Sequence, residues 1–208
     1  MEDSFKFAKI SELCDGESAA VFGAGASGKA AKALLEKAGI KAVVYDKNGG
    51  ESCEKIFDEN SAKKHRLAVY SPAFRPDHEW VRLAEKAVAR AICERDLSAL
   101  AWRGKIYAVT GTNGKTTLTS FLERALNTAG IKAISAGNIG KPLSAFCAEM
   151  DDTSTTAAVC ELSSFQTSRL EFLRPDALLW TNFAPDHLDW HTDMREYFSA
   201  KFNLVKNL

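Results

Sequence analysis

Val109-Thr110-Gly111-Thr112-Asn113-Gly114-Lys115-Thr116-Thr117 is the stretch on which the fold turns. It follows an apolar run, Ile106 to Val109, and opens an amphipathic one, Leu118 to Ala129. A strand, a glycine turn, then a lysine and two hydroxyls at a helix start make a phosphate site. Glycines let the backbone curl until its N–H groups face one anion. The helix amino end adds unpaired donors and a partial positive charge. Lys115 would bring a mobile charge to the outer phosphates of a nucleoside triphosphate, and Thr116 a hydroxyl for Mg²⁺. The common form of this loop has a glycine five places before the Gly-Lys pair, where this chain has Val109. The loop by itself therefore leaves a plain turn and helix cap open.

Working outward, strand and helix patterns alternate in both directions. Upstream, Ser18 to Phe22 reads as a buried strand and a helix follows to Ala38, stopped by Gly39. Strands are expected at Lys41 to Tyr45 and Leu67 to Tyr70, with a turn at Asn48-Gly49-Gly50 between them. Val81, Ala84, Val88 and Ile92 recur at helical spacing, which predicts one helix from His78 to Arg95. Downstream of the loop, strands are expected at Lys132 to Ser135, Ala157 to Cys160 and Ala177 to Thr181. Helices are expected at Leu143 to Glu149, Ser163 to Leu170 and Met194 to Asn207. The pattern is α/β with parallel sheets. A composition shift divides it into a Rossmann-like domain over 1–97, a linker at 98–104, and a phosphate-loop domain over 105–208. A parallel sheet with its phosphate strand near one edge is expected to carry more strands. The second domain therefore reads as the first part of a larger one.

Composition narrows the class. The 208 residues are 46% hydrophobic and 26% charged, enough apolar content for a packed core. Lys plus Arg equals Asp plus Glu at 27 each, so no basic excess argues for nucleic acid. The start, Met1-Glu2-Asp3-Ser4-Phe5, lacks the pattern of a signal peptide, and no apolar run has the length of a membrane span. Five scattered cysteines without a C-x-x-C pair point to reduced thiols in a cytoplasmic protein.

Three further constellations carry chemistry. Gly23-x-Gly25-x-x-Gly28 follows a predicted strand and opens a helix, with Asp46 about twenty residues on. It is a backbone cradle for a diphosphate, with a carboxylate able to accept from a ribose or base; the alternatives are NAD binding and simple helix-on-strand packing. Glu161 ends a predicted strand, where α/β sites gather, and could hold a divalent metal; Ser163 and Ser164 beside it also suit a helix cap. His187 follows the next strand between Asp186 and Asp189, as a metal ligand or an acid/base group. His187 and His191 have zincin-like spacing, but Asp189 does not match that motif's glutamate, which argues against zinc.

Taken together, these residues resemble the Mur ligase family, and within it the branch that adds D-glutamate to UDP-N-acetylmuramoyl-L-alanine. The resemblance rests on Thr110 to Thr117, Gly137-Asn138-Ile139-Gly140, Glu161-Leu162-Ser163-Ser164-Phe165-Gln166 and Asp186-His187-Leu188-Asp189. It also rests on the Gly23/Gly25/Gly28 unit with Asp46 and Ser71-Pro72. It implies an ATP-dependent amide ligase of peptidoglycan precursor synthesis, working through an acyl phosphate with ATP and Mg²⁺, and monomeric in its full-length form. In that frame Gly111, Thr112, Asn113, Gly114, Lys115, Thr116 and Thr117 hold ATP. Gly23, Gly25, Ser27, Gly28, Asp46, Ser71, Asn138, Ser163 and Gln166 hold the UDP-sugar substrate. Thr116, Glu161, His187 and a carbamylated Lys201 bind metal, and Lys115, His187 and Lys201 serve the chemistry. Family members carry a longer central domain and a third domain, so the resemblance implies that these residues alone do not ligate. The chain departs from the pattern at Lys47-Asn48, where relatives often have arginine, and at Ala73, commonly glycine. The competing readings are a non-catalytic UDP-sugar-peptide binding module and an NAD-dependent oxidoreductase.

Overall fold

A computed structural model describes residues 7–50, 52–138 and 140–208; Met1 to Phe5 and Ile139, both read above, lie outside the described residues. The chain divides into two compact units, Met1–Ala101 with Ser144–Met150, and Trp102–Leu143 with Asp151–Leu208.

The first unit opens with helix α1 (Ala8–Cys14) and builds a parallel sheet of β1 (Ser18–Phe22), β2 (Ala42–Tyr45), β3 (His65–Tyr70) and β4 (Arg90–Cys93). The order is β2-β1-β3-β4. Ala19, Ala20, Val21 and Phe22 are all fully buried, as a central strand covered on both faces requires. Helix α2 (Ala26–Lys37) follows β1 and buries Ala30, Ala31, Leu34 and Leu35. Gly39, at φ 78°, turns the chain at its end. Helices α3 (Glu59–Ala62), α4 (Glu79–Ala87) and α5 (Glu94–Ala101) complete the connections.

The second unit has the same logic. Strands β5 (Ile106–Thr110), β6 (Ala133–Gly137), β7 (Ala157–Glu161) and β8 (Ala177–Trp180) pair in parallel in the order β6-β7-β5-β8. Helix α6 (Lys115–Thr128) follows the glycine loop, α8 (Ser164–Thr167) is a single turn after β7, and α9 (Met194–Lys206) closes the chain. Strand β7 is buried throughout, while β8, at the sheet edge, is half-exposed along its length.

Three expectations needed correction. The helix predicted from His78 to Arg95 is instead α4, then strand β4, then α5. Val88 takes an extended conformation (φ −107°, ψ 145°), and residues 90–93 pair with Leu67 to Tyr70. A short apolar run fits a helix face or a buried strand equally well, and pairing with β3 decides. The linker placed at 98–104 begins too early, because α5 continues to Ala101 with Leu97, Ser98 and Ala101 buried. Finally, the helix α7 (Leu143–Glu149), expected within the second domain, falls from Ser144 onward in the first unit. There the Glu94 carboxylate accepts from the Ser144 N–H at 3.3 Å and from its hydroxyl. Ser98 O accepts from the Cys147 thiol at 3.6 Å, and Lys37 Nζ donates to Met150 O at 3.1 Å. An anion at the helix amino end and a cation at its carboxyl end both complement the helix dipole. None of the five cysteines forms a disulfide, and four of them are buried.

Candidate active site

In the second unit the site gathers at the carboxyl ends of β5, β6 and β7. The glycine loop between β5 and α6 depends on backbone shapes that side chains resist. Gly111 sits at φ 139°, and a Cβ there would lie 1.9 Å from Thr181 Oγ1; Gly114 is left-handed at φ 80°. Thr112 N–H donates to Asn182 O at 3.1 Å, and Asn113 N–H to Asn182 Oδ1 at 3.0 Å. Asn182 Nδ2 and Thr181 Oγ1 both donate to Asn113 O. Thr112 Oγ1 takes the Ala184 N–H at 3.0 Å and lies 3.1 Å from the Tyr197 hydroxyl. The segment after β8 and helix α9 therefore hold the loop open in its curled form. Asn182 and Tyr197 were missed as site residues; the one available signal was the position of Asn182 just past a predicted strand.

Lys115 Nζ donates to two carbonyls of its own loop, Gly111 O at 3.1 Å and Thr112 O at 2.7 Å. Thr116 Oγ1 donates to Glu161 Oε2 at 2.7 Å, and Asn138 Nδ2 to Glu161 Oε1 at 3.0 Å. Glu161 is only 1% exposed, so both of its oxygens are held by neutral donors in a buried setting. Asn138 is brought there by Gly137, whose φ is 112° and whose missing Cβ would lie 2.3 Å from Glu161 O. Glu161, Thr116 and Asn138, separated widely in sequence, thus form one hydrogen-bonded array.

Lys201 projects from α9 to the same loop. It is 1% exposed, donates to Gly111 O at 2.7 Å, and lies 4.8 Å from the centre of the Tyr197 ring. Burial first, and the nearby Lys115 charge second, lower its pKa to about 8. Spacing and periodicity gave no reason to single out this lysine, which only the family resemblance named; its placement puts a cation on the glycine loop.

His187 lies on a separate turn. Its backbone is left-handed at φ 54°, its Nε2 is 3.5 Å from Asp186 Oδ2, and its ring packs on Phe165 at 4.7 Å. No hydrogen bond joins it to Glu161 among the described residues, and none of their His, Cys, Asp and Glu side chains form a metal-holding group of three. Ser163 and Gln166 are bound to each other, with Gln166 Oε1 accepting from the Ser163 N–H at 2.9 Å. The helix-cap reading of that motif is the one the structure displays.

In the first unit, the Gly23 loop lies at the carboxyl end of β1. Gly28 packs against it so closely that a Cβ would lie 1.7 Å from Gly23 O, whereas Gly25 is exposed with nothing within 4 Å. Gly23 itself, at φ 99°, leaves room for Ser71, whose Oγ would be 2.9 Å from an added Cβ. Ser27 is half-buried in the first turn of α2. Asp46 accepts from Ala24 N–H at 2.7 Å with one oxygen and from Asn48 N–H at 2.9 Å with the other. The carboxylate expected to face a ligand therefore also locks the cradle. Lys47, at the departure noted above, pairs with Glu79 at 2.6 Å and lies 5.7 Å over the Trp80 ring.

A curled glycine loop backed by a buried carboxylate on a parallel sheet defines a protein of the phosphate-loop α/β class. Residues 109–208 match the Mur ligase middle domain. The chain is 35% identical over 209 residues to the UDP-N-acetylmuramoylalanine--D-glutamate ligase of Leuconostoc mesenteroides, covering 90% of this chain and 44% of that protein. The enzyme of the same name from Fusobacterium nucleatum is 34% identical over 194 residues, with 91% and 44% covered. Among solved structures, the UDP-N-acetylmuramate:L-alanyl-gamma-D-glutamyl-meso-diaminopimelate ligase from Neisseria meningitides aligns with a TM-score of 0.59 at 17% identity, covering 92% of this chain and 68% of that one. The UDP-N-acetylmuramate-alanine ligase of Thermotoga maritima gives 0.53 at 21%, covering 91% and 47%. These two likenesses concern the fold. Residues 109–208 thus carry the Mur ligase middle domain, and the chain spans less than half the length of the curated relatives it matches. No helix among the described residues is long and apolar enough to cross a membrane.

Proposed function

We propose that this chain carries the phosphate-handling and UDP-sugar-binding parts of an ATP-dependent ligase that joins D-glutamate to UDP-N-acetylmuramoyl-L-alanine in the cytoplasm. The observation that carries the reading is the array of Thr116, Glu161 and Asn138 beside a loop that bears Lys115 and Lys201. The names of the relatives supply the substrate pair.

In this reading the substrate carboxylate attacks the γ-phosphorus of ATP, giving an acyl phosphate and ADP. The amine of D-glutamate then adds to the acyl carbon and phosphate leaves. The loop from Gly111 to Thr117 cradles the triphosphate with the backbone N–H groups at the amino end of α6, those of Thr112 and Asn113 being given to Asn182. Lys115 exchanges its two loop carbonyls for phosphate oxygens, which are stronger acceptors because they are charged. Asn138, Ser163 and Gln166 orient the muramoyl side, while Gly23, Gly25, Ser27, Gly28, Asp46 and Ser71 hold the UDP.

The donors suit Mg²⁺ in part. A hydroxyl and a carboxylate 2.7 Å apart, at Thr116 and Glu161, are the hard oxygen ligands that this ion takes. His187 would join them from its turn. Lys201 as an ammonium would repel a cation; as a carbamate it would offer a carboxylate instead. With a pKa of about 8, roughly a tenth of the amine is neutral at pH 7 and able to add to CO₂, with loss of a proton to solvent. Bound Mg²⁺ would offset the repulsion between the attacking carboxylate and the polyphosphate.

The test is calorimetric titration of the chain with UDP-N-acetylmuramoyl-L-alanine, with NAD as the control. Binding of the UDP compound and silence with NAD is the expected result. Binding of NAD alone returns the Gly23 cradle to the oxidoreductase class. Binding of the UDP compound with no response to MgATP favours a non-catalytic binding module.

A further inference from the structure

We infer that His191 is a positioning residue whose buried imidazole bolts the turn presenting His187 onto the first turn of α8. The inference rests on the reading of His187 as a metal ligand only for its functional consequence; the bolt itself is geometric.

His187 occupies the left-handed region, uncommon for a residue with a Cβ, and such a shape persists only where the surroundings impose it. Asp186 Oδ1 accepts the His187 N–H at 2.8 Å. His187 O accepts from Trp190 N–H at 3.1 Å and from His191 N–H at 3.0 Å, which closes the turn on His191. The His191 side chain then leaves the turn and is 2% exposed. Its Nε2 shares a hydrogen bond of 2.9 Å with Ser164 Oγ, itself fully buried. Its ring lies nearly parallel to Phe165, at 14° and 5.8 Å between centroids, and packs on Tyr197 at 5.3 Å. Phe165 in turn touches the His187 ring at 4.7 Å.

The contacts form a closed circuit. From His187 it runs through the turn to His191, across to Ser164, along α8 to Phe165, and back to the His187 ring. The segments Glu161 to Gln166 and Asp186 to His191 are thereby joined at their far ends. Ser164 and His191 do not form a nucleophilic pair, since a fully buried hydroxyl has no access to a substrate. Their shared hydrogen bond instead sets the distance between α8 and the His187 turn. It also gives the two histidines of the zincin-like spacing different roles: the His187 side chain is 35% exposed, and the buried His191 ring anchors its turn.

The experiment uses the whole chain in four variants: H191A, H191Q, S164A and H187A. Two readouts are taken, amide hydrogen exchange at positions 190 and 191, and affinity for Mn²⁺ in the presence of ATP by electron paramagnetic resonance. H191A is expected to speed exchange at both amides at least about tenfold, with β5 and β7 amides unchanged, and to weaken Mn²⁺ about tenfold, as loss of an outer-shell partner does. H191Q can still reach Ser164 and should recover most of both effects. S164A deletes one buried hydroxyl and should show the same local opening even where H191A fails to fold. Wild-type exchange at the turn in S164A and in H191A would overturn the inference. H187A separates the two readings. If it leaves Mn²⁺ binding intact while H191A still opens the turn, the bolt stands and the metal-ligand role of His187 falls.

Discussion

Replacing Glu94 by alanine should destabilise the first unit by about 4 kcal/mol. The carboxylate is fully buried, and its Oε2 lies 3.0 Å from Arg95 Nη1, on a side chain only 2% exposed. Its Oε1 accepts from Ser144 N–H and from the Ser144 hydroxyl at the amino end of α7. Breaking a buried ion pair from one side costs about 3–5 kcal/mol, because the remaining charge loses its partner without regaining water. Each neutral hydrogen bond left unmade adds roughly 1 kcal/mol, part of which is the same loss counted again. Against a total stability of about 5–15 kcal/mol, this is a large fraction. Glu94→Gln keeps an acceptor for Ser144 and removes only the charge, so a loss nearer ~2 kcal/mol is expected. Urea unfolding, followed by hydrogen exchange in β1 and β3, checks both. With a slope near ~2 kcal/mol per molar urea, the alanine variant moves the midpoint down by ~2 M. A shift of less than ~0.5 M would refute the reasoning, since it would mean that the carboxylate neither balances Arg95 nor holds α7.

Glycine positions offer a sharp contrast: Gly28→Ala, whose Cβ would meet Gly23 O at 1.7 Å, should cost about 3 kcal/mol or more, while Gly25→Ala, with open space and φ −72°, should stay within about 0.5 kcal/mol in thermal melts. Lys201 sets a pH dependence. Its folded pKa, about 8, lies below the ordinary 10.5, so its burial penalty is fullest below pH 8 and relaxes as pH rises from there to 10.5, a gain of roughly 3 kcal/mol that Lys201→Met should abolish in urea titrations at successive pH values. His65, buried beside Ser18 and Tyr45, is depressed by burial and by Lys64 and Lys41. Its share of stability is complete above about pH 6.5 and fades as pH falls below that, so His65→Gln should shallow the acid limb of the stability curve. Thr116→Val removes the donor to Glu161 Oε2, and MgATP affinity should fall about tenfold by calorimetry with the fold retained.

Much of the fold was legible because its signals are local. Apolar runs such as Ser18 to Phe22 mark buried strands, and glycines at 111 and 114 mark a backbone that must adopt shapes closed to other residues. The phosphate loop, the Gly23 cradle and the two acidic strand ends could all be found from spacing within a dozen residues. Strand β4 was lost to a helix because Val88 and Ile92 continue a helical period, and only pairing with β3 overrides it. The true end of the first unit, and the place of Ser144–Met150 within it, depend on a carboxylate fifty residues away. Lys201 is the clearest case at the site. In sequence it is one lysine on an amphipathic helix; in the fold it is a buried cation ninety residues from the carbonyl it touches.

By itself, then, the sequence determined the two α/β units, the curled glycine loop and the likeness of residues 109–208 to the Mur ligase middle domain. All of these rest on short-range backbone requirements and periodicity. Tertiary structure alone decided that Glu161 meets Thr116 and Asn138, that Lys201 reaches Gly111, and that the buried His191 ring meets Ser164. The physical reason is that burial and hydrogen-bond partnership belong to pairs of residues. A parallel sheet brings such pairs together at its carboxyl edge from segments that no local pattern connects.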